Sequence, residues 1–162
     1  MSGNRIESLV DDVQAAFDRR PSDIEAGLDT ESADILQLRK SCRLLAGAEI
    51  LLDSGFYTIV IEASFVAIER VIEFKLLESG IEPRDLPGTH PGVYREAAIR
   101  GILSESVAAD LKDLWRNYRA KTYYQDGLAA KERAEKMYEL ASETHLFVVN
   151  LSAKKHECLC DS

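Results

Sequence analysis

Between residues 112 and 124 the chain reads Lys-Asp-Leu-Trp-Arg-Asn-Tyr-Arg-Ala-Lys-Thr-Tyr-Tyr, just ahead of the exit Gln125-Asp126-Gly127. At 3.6 residues per turn, Lys112, Arg116, Arg119 and Tyr123 share one helix face, while Leu111, Leu114 and Tyr118 continue an apolar stripe from Val107. Guanidinium groups grip phosphates and carboxylates through two-pronged hydrogen bonds, and aromatic faces can stack on bases. A solvated helix face, or a salt bridge to Glu62 or Glu69, is the plainer use of Arg116 and Arg119. Trp115 and Tyr118 equally fit a core or dimer contact. Glu62 and Glu69 flank Phe65 on the edge of another apolar stripe. Buried carboxylates need partners, and Arg116 is the natural one if the helices are adjacent.

The remaining candidates for chemistry are scattered. His90 lies between Thr89 and Pro91 in a turn-rich loop and reads as a structural or exposed histidine. His145, beside Leu146 and Phe147, reads as a packed or surface histidine, and Cys42 as a small apolar residue on a buried stripe. His156, Cys158 and Cys160 are soft-metal ligand types, but three such residues in an acidic tail lack a second ligand pair, so no metal site is expected. There is no Gly-rich phosphate loop, HExxH, paired CxxC, GxSxG or helix-turn-helix signature, and thus no cofactor is implied.

Composition narrows the field further. The 162 residues suit one domain, and 46% hydrophobic content can fill a sizeable core. A formal charge of −8 argues against general nucleic-acid affinity and leaves only a local basic face for that purpose. Three cysteines are no disulfide framework. The start Met1-Ser2-Gly3-Asn4-Arg5 leads into a charged amphipathic segment, so no signal peptide is expected. The stretch 56–77 is rich in apolar residues, but Glu62, Glu69, Arg70, Glu73 and Lys75 interrupt it, so no membrane span is expected either. The expected location is cytoplasmic.

Periodicity predicts six helical segments and no strand. Residues 4–19 form an amphipathic helix ended by Pro21, and 21–30 form a polar linker. This first helix reads as an appendage or a dimer contact. A second helix starts near Thr30 or Ser32 and stops at Asp53-Ser54-Gly55. The third, 56–79, is apolar around much of its circumference and should be central. A breaker-rich connection follows, then a short helix over 92–101 and a fifth capped by Ser104 that runs to about residue 123. The last helix covers about 128–155. The domain plan is therefore an N-terminal helix and linker (1–29), an all-α antiparallel bundle (30–155) and a disordered tail (156–162).

The order of local features resembles the HEPN superfamily of four- to five-helix bundles across residues 33–150. It rests on Leu52-Asp53-Ser54-Gly55-Phe56-Tyr57, Ala67-Ile68-Glu69, Thr89-His90-Pro91-Gly92-Val93, Arg100-Gly101-Ile102-Leu103, Leu111-Lys112-Asp113-Leu114-Trp115-Arg116-Asn117 and Ala134-Glu135-Lys136-Met137-Tyr138-Glu139-Leu140-Ala141. The resemblance implies a homodimer. In many family members it also implies a metal-independent endoribonuclease of toxin or defence type, with an Arg, a polar residue and a His separated from the Arg by four to six residues. The arginine stabilises phosphate charge and the histidine moves protons.

Arg116-Asn117 matches the opening of that motif, but its histidine window holds Lys121, Thr122 and Tyr123. Counted from Arg119, the window holds Tyr124, Gln125 and Asp126. Arg119-Ala120-Lys121-Thr122-Tyr123 is closer to groups without the histidine. In some toxin members a tyrosine two residues after the histidine is modified by a partner nucleotidyltransferase, and Tyr124 holds that slot if Thr122 holds the histidine's. The expected protein is a HEPN-like interaction domain, non-catalytic and homodimeric, that binds RNA, a nucleotide or a protein partner such as a nucleotidyltransferase. Its binding residues would be Lys112, Arg116, Arg119, Tyr123, Tyr124 and Glu69. Two alternatives stay open: an endoribonuclease with an altered motif using Arg116, Asn117 and Tyr123, and a purely structural helical protein.

Overall fold

The computed structural model describes residues 2–119 and 127–160. Among these residues the chain is all helical, with no strand. The α-helices are α1 (Ser2–Asp18), α2 (Ala33–Asp53), α3 (Tyr57–Glu78), α4 (His90–Ile99), α5 (Glu105–Leu114) and α6 (Lys131–Asn150). Single 3₁₀ turns occur at Pro83–Asp85 and Lys155–Glu157. A π turn, Trp115–Arg119, extends α5. No helix among the described residues is long and apolar enough to cross a membrane.

Local chemistry sets the ends of these helices. Gly55 takes φ +82°, a left-handed conformation that glycine adopts without a Cβ penalty. It closes α2 through Gly55 N–H to Leu52 O and Phe56 N–H to Leu51 O, and α3 begins at the next residue. So short a connection folds α2 and α3 back on each other as an antiparallel hairpin. Ser32 occupies the N-cap position of α2, but its hydroxyl donates to Asp34 instead of capping the helix. Thr89 and Ser104 do cap, accepting from Gly92 N–H and Val107 N–H at the starts of α4 and α5.

The third helix is central, as its composition predicts. It packs against α2, α4 and α6. Phe65, Ile68, Val71, Ile72, Phe74 and Leu76 are buried around its circumference. Each large apolar side chain contributes about 1.5–3 kcal/mol on burial. The first helix makes no comparable contact: every residue from Gly3 to Ala26 is exposed, including Ile6, Val13 and Phe17.

The C-terminal segment departs from the expectation of a frayed tail. Residues 155–160 lie against α2. Arg39 donates to Gly27 O, Glu157 O and the Glu157 carboxylate, tying the linker and the tail to one helix. Lys154 Nζ reaches Asp34 at 2.6 Å. Gly27, at φ +86°, abuts the Leu159 side chain so closely that a Cβ there would clash.

Candidate functional site

Glu69 stands where an apolar residue would be expected. It lies on the helix that is buried all round, and only 1% of it is exposed. The fold answers with two donors from α4. His90 Nδ1 pairs with one carboxylate oxygen, and the Tyr94 hydroxyl donates to the other at 3.2 Å. Burial raises the Tyr94 pKa, and the nearby charge and hydrogen bond of Glu69 raise it further, so the phenol keeps its proton. An ionised carboxylate accepts only, so Nδ1–H of His90 is the donor in this pair, and in the neutral imidazole Nε2 keeps its lone pair. His90 is the first residue of α4, set in place by the Thr89 cap and by Pro91 in the first turn.

The His90 ring stacks on Trp115, centroids 5.1 Å apart and planes 25° from parallel. Arg119 lies over the same indole, 5.6 Å from its centroid. Its guanidinium makes two bonds to one oxygen of Glu62, at 2.7 and 3.1 Å. The other Glu62 oxygen and Trp115 Nε1 are buried and find no hydrogen-bond partner among the described residues. One turn beyond Glu69, burial pushes the Glu73 carboxyl up. Arg70, at 2.9 Å, offsets that in part, and the charge of Glu69 adds to it. The assembly is an imidazole oriented by a buried carboxylate, next to an indole and a guanidinium. Such a carboxylate–imidazole pair fixes a tautomer and presents the far nitrogen for proton transfer or for accepting a hydrogen bond.

Several expectations are revised by this geometry. Arg119, not Arg116, meets the α3 carboxylates. Arg116 and Asn117 are exposed, and Arg116 has no ion pair among the described residues. The single face drawn through Lys112, Arg116 and Arg119 assumed 3.6 residues per turn, whereas the chain widens to i→i+5 bonding from Trp115 to Arg119. That wider turn swings Arg119 toward the bundle and leaves Arg116 outside, with Lys112 half-buried. Val107 and Tyr118 are exposed, while Ala108 and Leu111 bury, and Trp115 packs on the core. Glu69 pairs with His90 and Tyr94 rather than with Arg116. On sequence Thr89-His90-Pro91 reads as a turn-rich loop ahead of a helix at 92, whereas α4 begins at His90, and nothing local connects that residue to a glutamate 21 residues away. Tyr123 and Tyr124 lie outside the described residues.

A second constellation brings together residues that read separately as core, surface and tail. Cys42 on α2, His145 on α6, and Cys158 and Cys160 after the last turn place their ligand atoms within 4.8 Å of one another. His145 Nε2 is 3.3 Å from Cys158 Sγ, 3.3 Å from Cys160 Sγ and 3.7 Å from Cys42 Sγ. Cys42 and Cys158 sulfurs are 3.5 Å apart, and all three cysteines are free thiols. His156, grouped with the tail cysteines on sequence, instead points at Glu157 from an exposed position. Burial disfavours a charged His145, but hydrogen bonds with Cys158 and Cys42 and their negative charge outweigh it and push it up to about 9. Cys158 is lowered, chiefly by hydrogen bonds from Cys160 and Cys42, and Cys160 is raised in turn by Cys158.

Fold and sites together define an all-helical domain with a buried carboxylate paired to a partly exposed imidazole and a separate thiol–imidazole cluster. The chain belongs to the family described as domain of unknown function DUF8154, whose model matches residues 1–160. No curated protein and no solved structure matches it.

Proposed function

We propose that this chain is a HEPN-like helical module that binds the phosphate of an RNA or nucleotide beside Trp115. The observation that carries the reading is the layered group His90–Trp115–Arg119, with Arg116 exposed on the same turn. Aromatic faces beside guanidinium groups suit a base and its phosphate, and this occurs in a chain whose overall charge repels polyanions. Association as a homodimer is part of the proposal. It is supported by the exposed apolar residues of α1, which a second copy would cover. A nucleotidyltransferase partner, suggested by the family resemblance, is kept as a further binding partner.

One observation favours the endoribonuclease reading as the second. The motif window lacks a histidine, yet His90 supplies an oriented imidazole from α4, sharing the Trp115 indole with Arg119. The test is fluorescence-anisotropy binding and cleavage of single-stranded RNA, both in EDTA, with wild type, Arg116→Ala and His90→Ala. The binding module predicts an intact RNA and roughly tenfold weaker binding for Arg116→Ala, the equivalent of one charge-assisted hydrogen bond of about 1.5 kcal/mol. Cleavage abolished by His90→Ala would replace the first reading with the second. Neither binding nor cleavage, together with no melting shift by nucleotides, would overturn both.

A further inference from the structure

We propose that Cys42, His145, Cys158 and Cys160 form a closed four-coordinate zinc site that fastens the C-terminal segment to α2 and α6. The ligands come from three parts of the chain, with Cys42 and Cys158 separated by 116 residues, so their convergence is a product of the fold. A zinc ion with bonds of about 2.3 Å to sulfur and 2.0–2.1 Å to nitrogen gives tetrahedral edges of about 3.5–3.8 Å. The sulfur–sulfur distance of 3.5 Å and sulfur–nitrogen distances of 3.3–3.7 Å are of that size. The same 3.5 Å is far from a disulfide, whose sulfurs are about 2.05 Å apart.

The surroundings prepare the donors for a cation. Ser41 is fully buried and donates its one hydroxyl proton to Ala67 O at 2.7 Å. Its contact of 2.8 Å with His145 Nδ1 can then only be the hydroxyl accepting from Nδ1–H. In the neutral imidazole, the form that binds a metal, Nε2 therefore carries the lone pair, and it is this nitrogen that faces the three sulfurs. An imidazole whose other nitrogen is anchored in this way is the arrangement typical of metal ligands. The backbone supplies N–H groups to the sulfurs as well: Leu159 N–H to Cys42 Sγ at 3.3 Å and Cys160 N–H to Cys158 Sγ at 3.4 Å. These donors stabilise negative charge on thiolates, the form in which cysteine binds metal.

The ligand chemistry selects the ion. Three soft thiolates and one imidazole in a tetrahedral set suit zinc, and four protein ligands leave no open position for a substrate. The role is thus structural. Cys42 and His145 are each 3% exposed and belong to the bundle, whereas Cys158 and Cys160 follow the final 3₁₀ turn. An ion held by both pairs would hold residues 155–160 against the bundle, together with Arg39.

The test uses the full chain, purified in reducing buffer without added chelator, with metal content by inductively coupled plasma mass spectrometry. The expected result is about one zinc per chain. Replacement by cobalt(II) should give the thiolate charge-transfer and visible bands of a tetrahedral site. The Cys158→Ser/Cys160→Ser double variant, altered only in the tail, should fold and retain no stoichiometric zinc. Ser41→Ala should keep the site but bind zinc about 10–100-fold more weakly. Hydrogen exchange at residues 155–160 should speed up when the zinc is stripped. Any of three results overturns the proposal: a wild type without stoichiometric metal even after zinc is supplied, equal zinc in the double variant, or a Cys42–Cys158 disulfide under the same conditions.

Discussion

Replacing Tyr94 by Phe removes one oxygen from a fully buried ring and leaves its packing in place. The lost hydroxyl donates the single hydrogen bond that the described residues give to Glu69 Oε2, at 3.2 Å. A hydrogen bond to a charged group is worth about 1.5–3 kcal/mol, against about 0.5–1.5 kcal/mol for a neutral pair. For a domain of this size each kcal/mol shifts the melting temperature by roughly 2–4 °C, so Tyr94→Phe should melt about 3–12 °C lower. In a Glu69→Gln background the acceptor is neutral, and the same change should cost only about 1–6 °C. Thermal and urea unfolding of the four proteins closes a double-mutant cycle, with an expected coupling of about 1 kcal/mol or more. A Tyr94→Phe variant within about 0.5 kcal/mol of wild type, or an equal cost in both backgrounds, would contradict a charged acceptor at Glu69. Either result would mean that no buried charge orients His90, and the proton chemistry assigned to that imidazole would lose its basis.

Two further predictions concern the ends of the chain. Burial disfavours the charged forms of Asp34 and Glu78, but hydrogen bonds from Lys154 and Ser32, and from Lys75 and Ser152, outweigh it and hold both carboxyls below their usual range. Their folded pKa values are depressed, so the stability they contribute is fully present above about pH 5 and is lost as pH falls through the folded values. Acid titration followed by hydrogen exchange should therefore loosen residues 152–160 ahead of the core below pH 4, and Asp34→Asn should flatten that response; an unchanged acid limb in the variant would contradict it. Deleting residues 3–20 removes only exposed side chains, so the melting temperature should move by no more than about 2 °C. Light scattering of the same protein should show a monomer where the full chain is a dimer, and a monomer in both cases would dismiss α1 as the contact.

The helices were largely legible because their signals are local. Glycine after Ser54, Ser104 as a cap, and the apolar circumference of 56–79 each constrain neighbouring residues, and the observed elements follow them to within a few positions. The fifth helix is the exception. Its predicted continuation to residue 123 runs in the structure into a π turn at Trp115, and no residue type signals that change of pitch. Its consequence is that Arg119 meets Glu62 while Arg116 stays exposed.

What the sequence by itself determined is the helical character, the central place of α3 and the need of Glu69 for a partner, since periodicity and the cost of burying charge act wherever the chain runs. Tertiary structure alone decided who the partners are. His90 reaches Glu69 across 21 residues, and Cys42 reaches Cys158 across 116. Contacts at such separations depend on how whole helices pack against each other. That depends on the summed burial of many side chains, and no short stretch of sequence carries it.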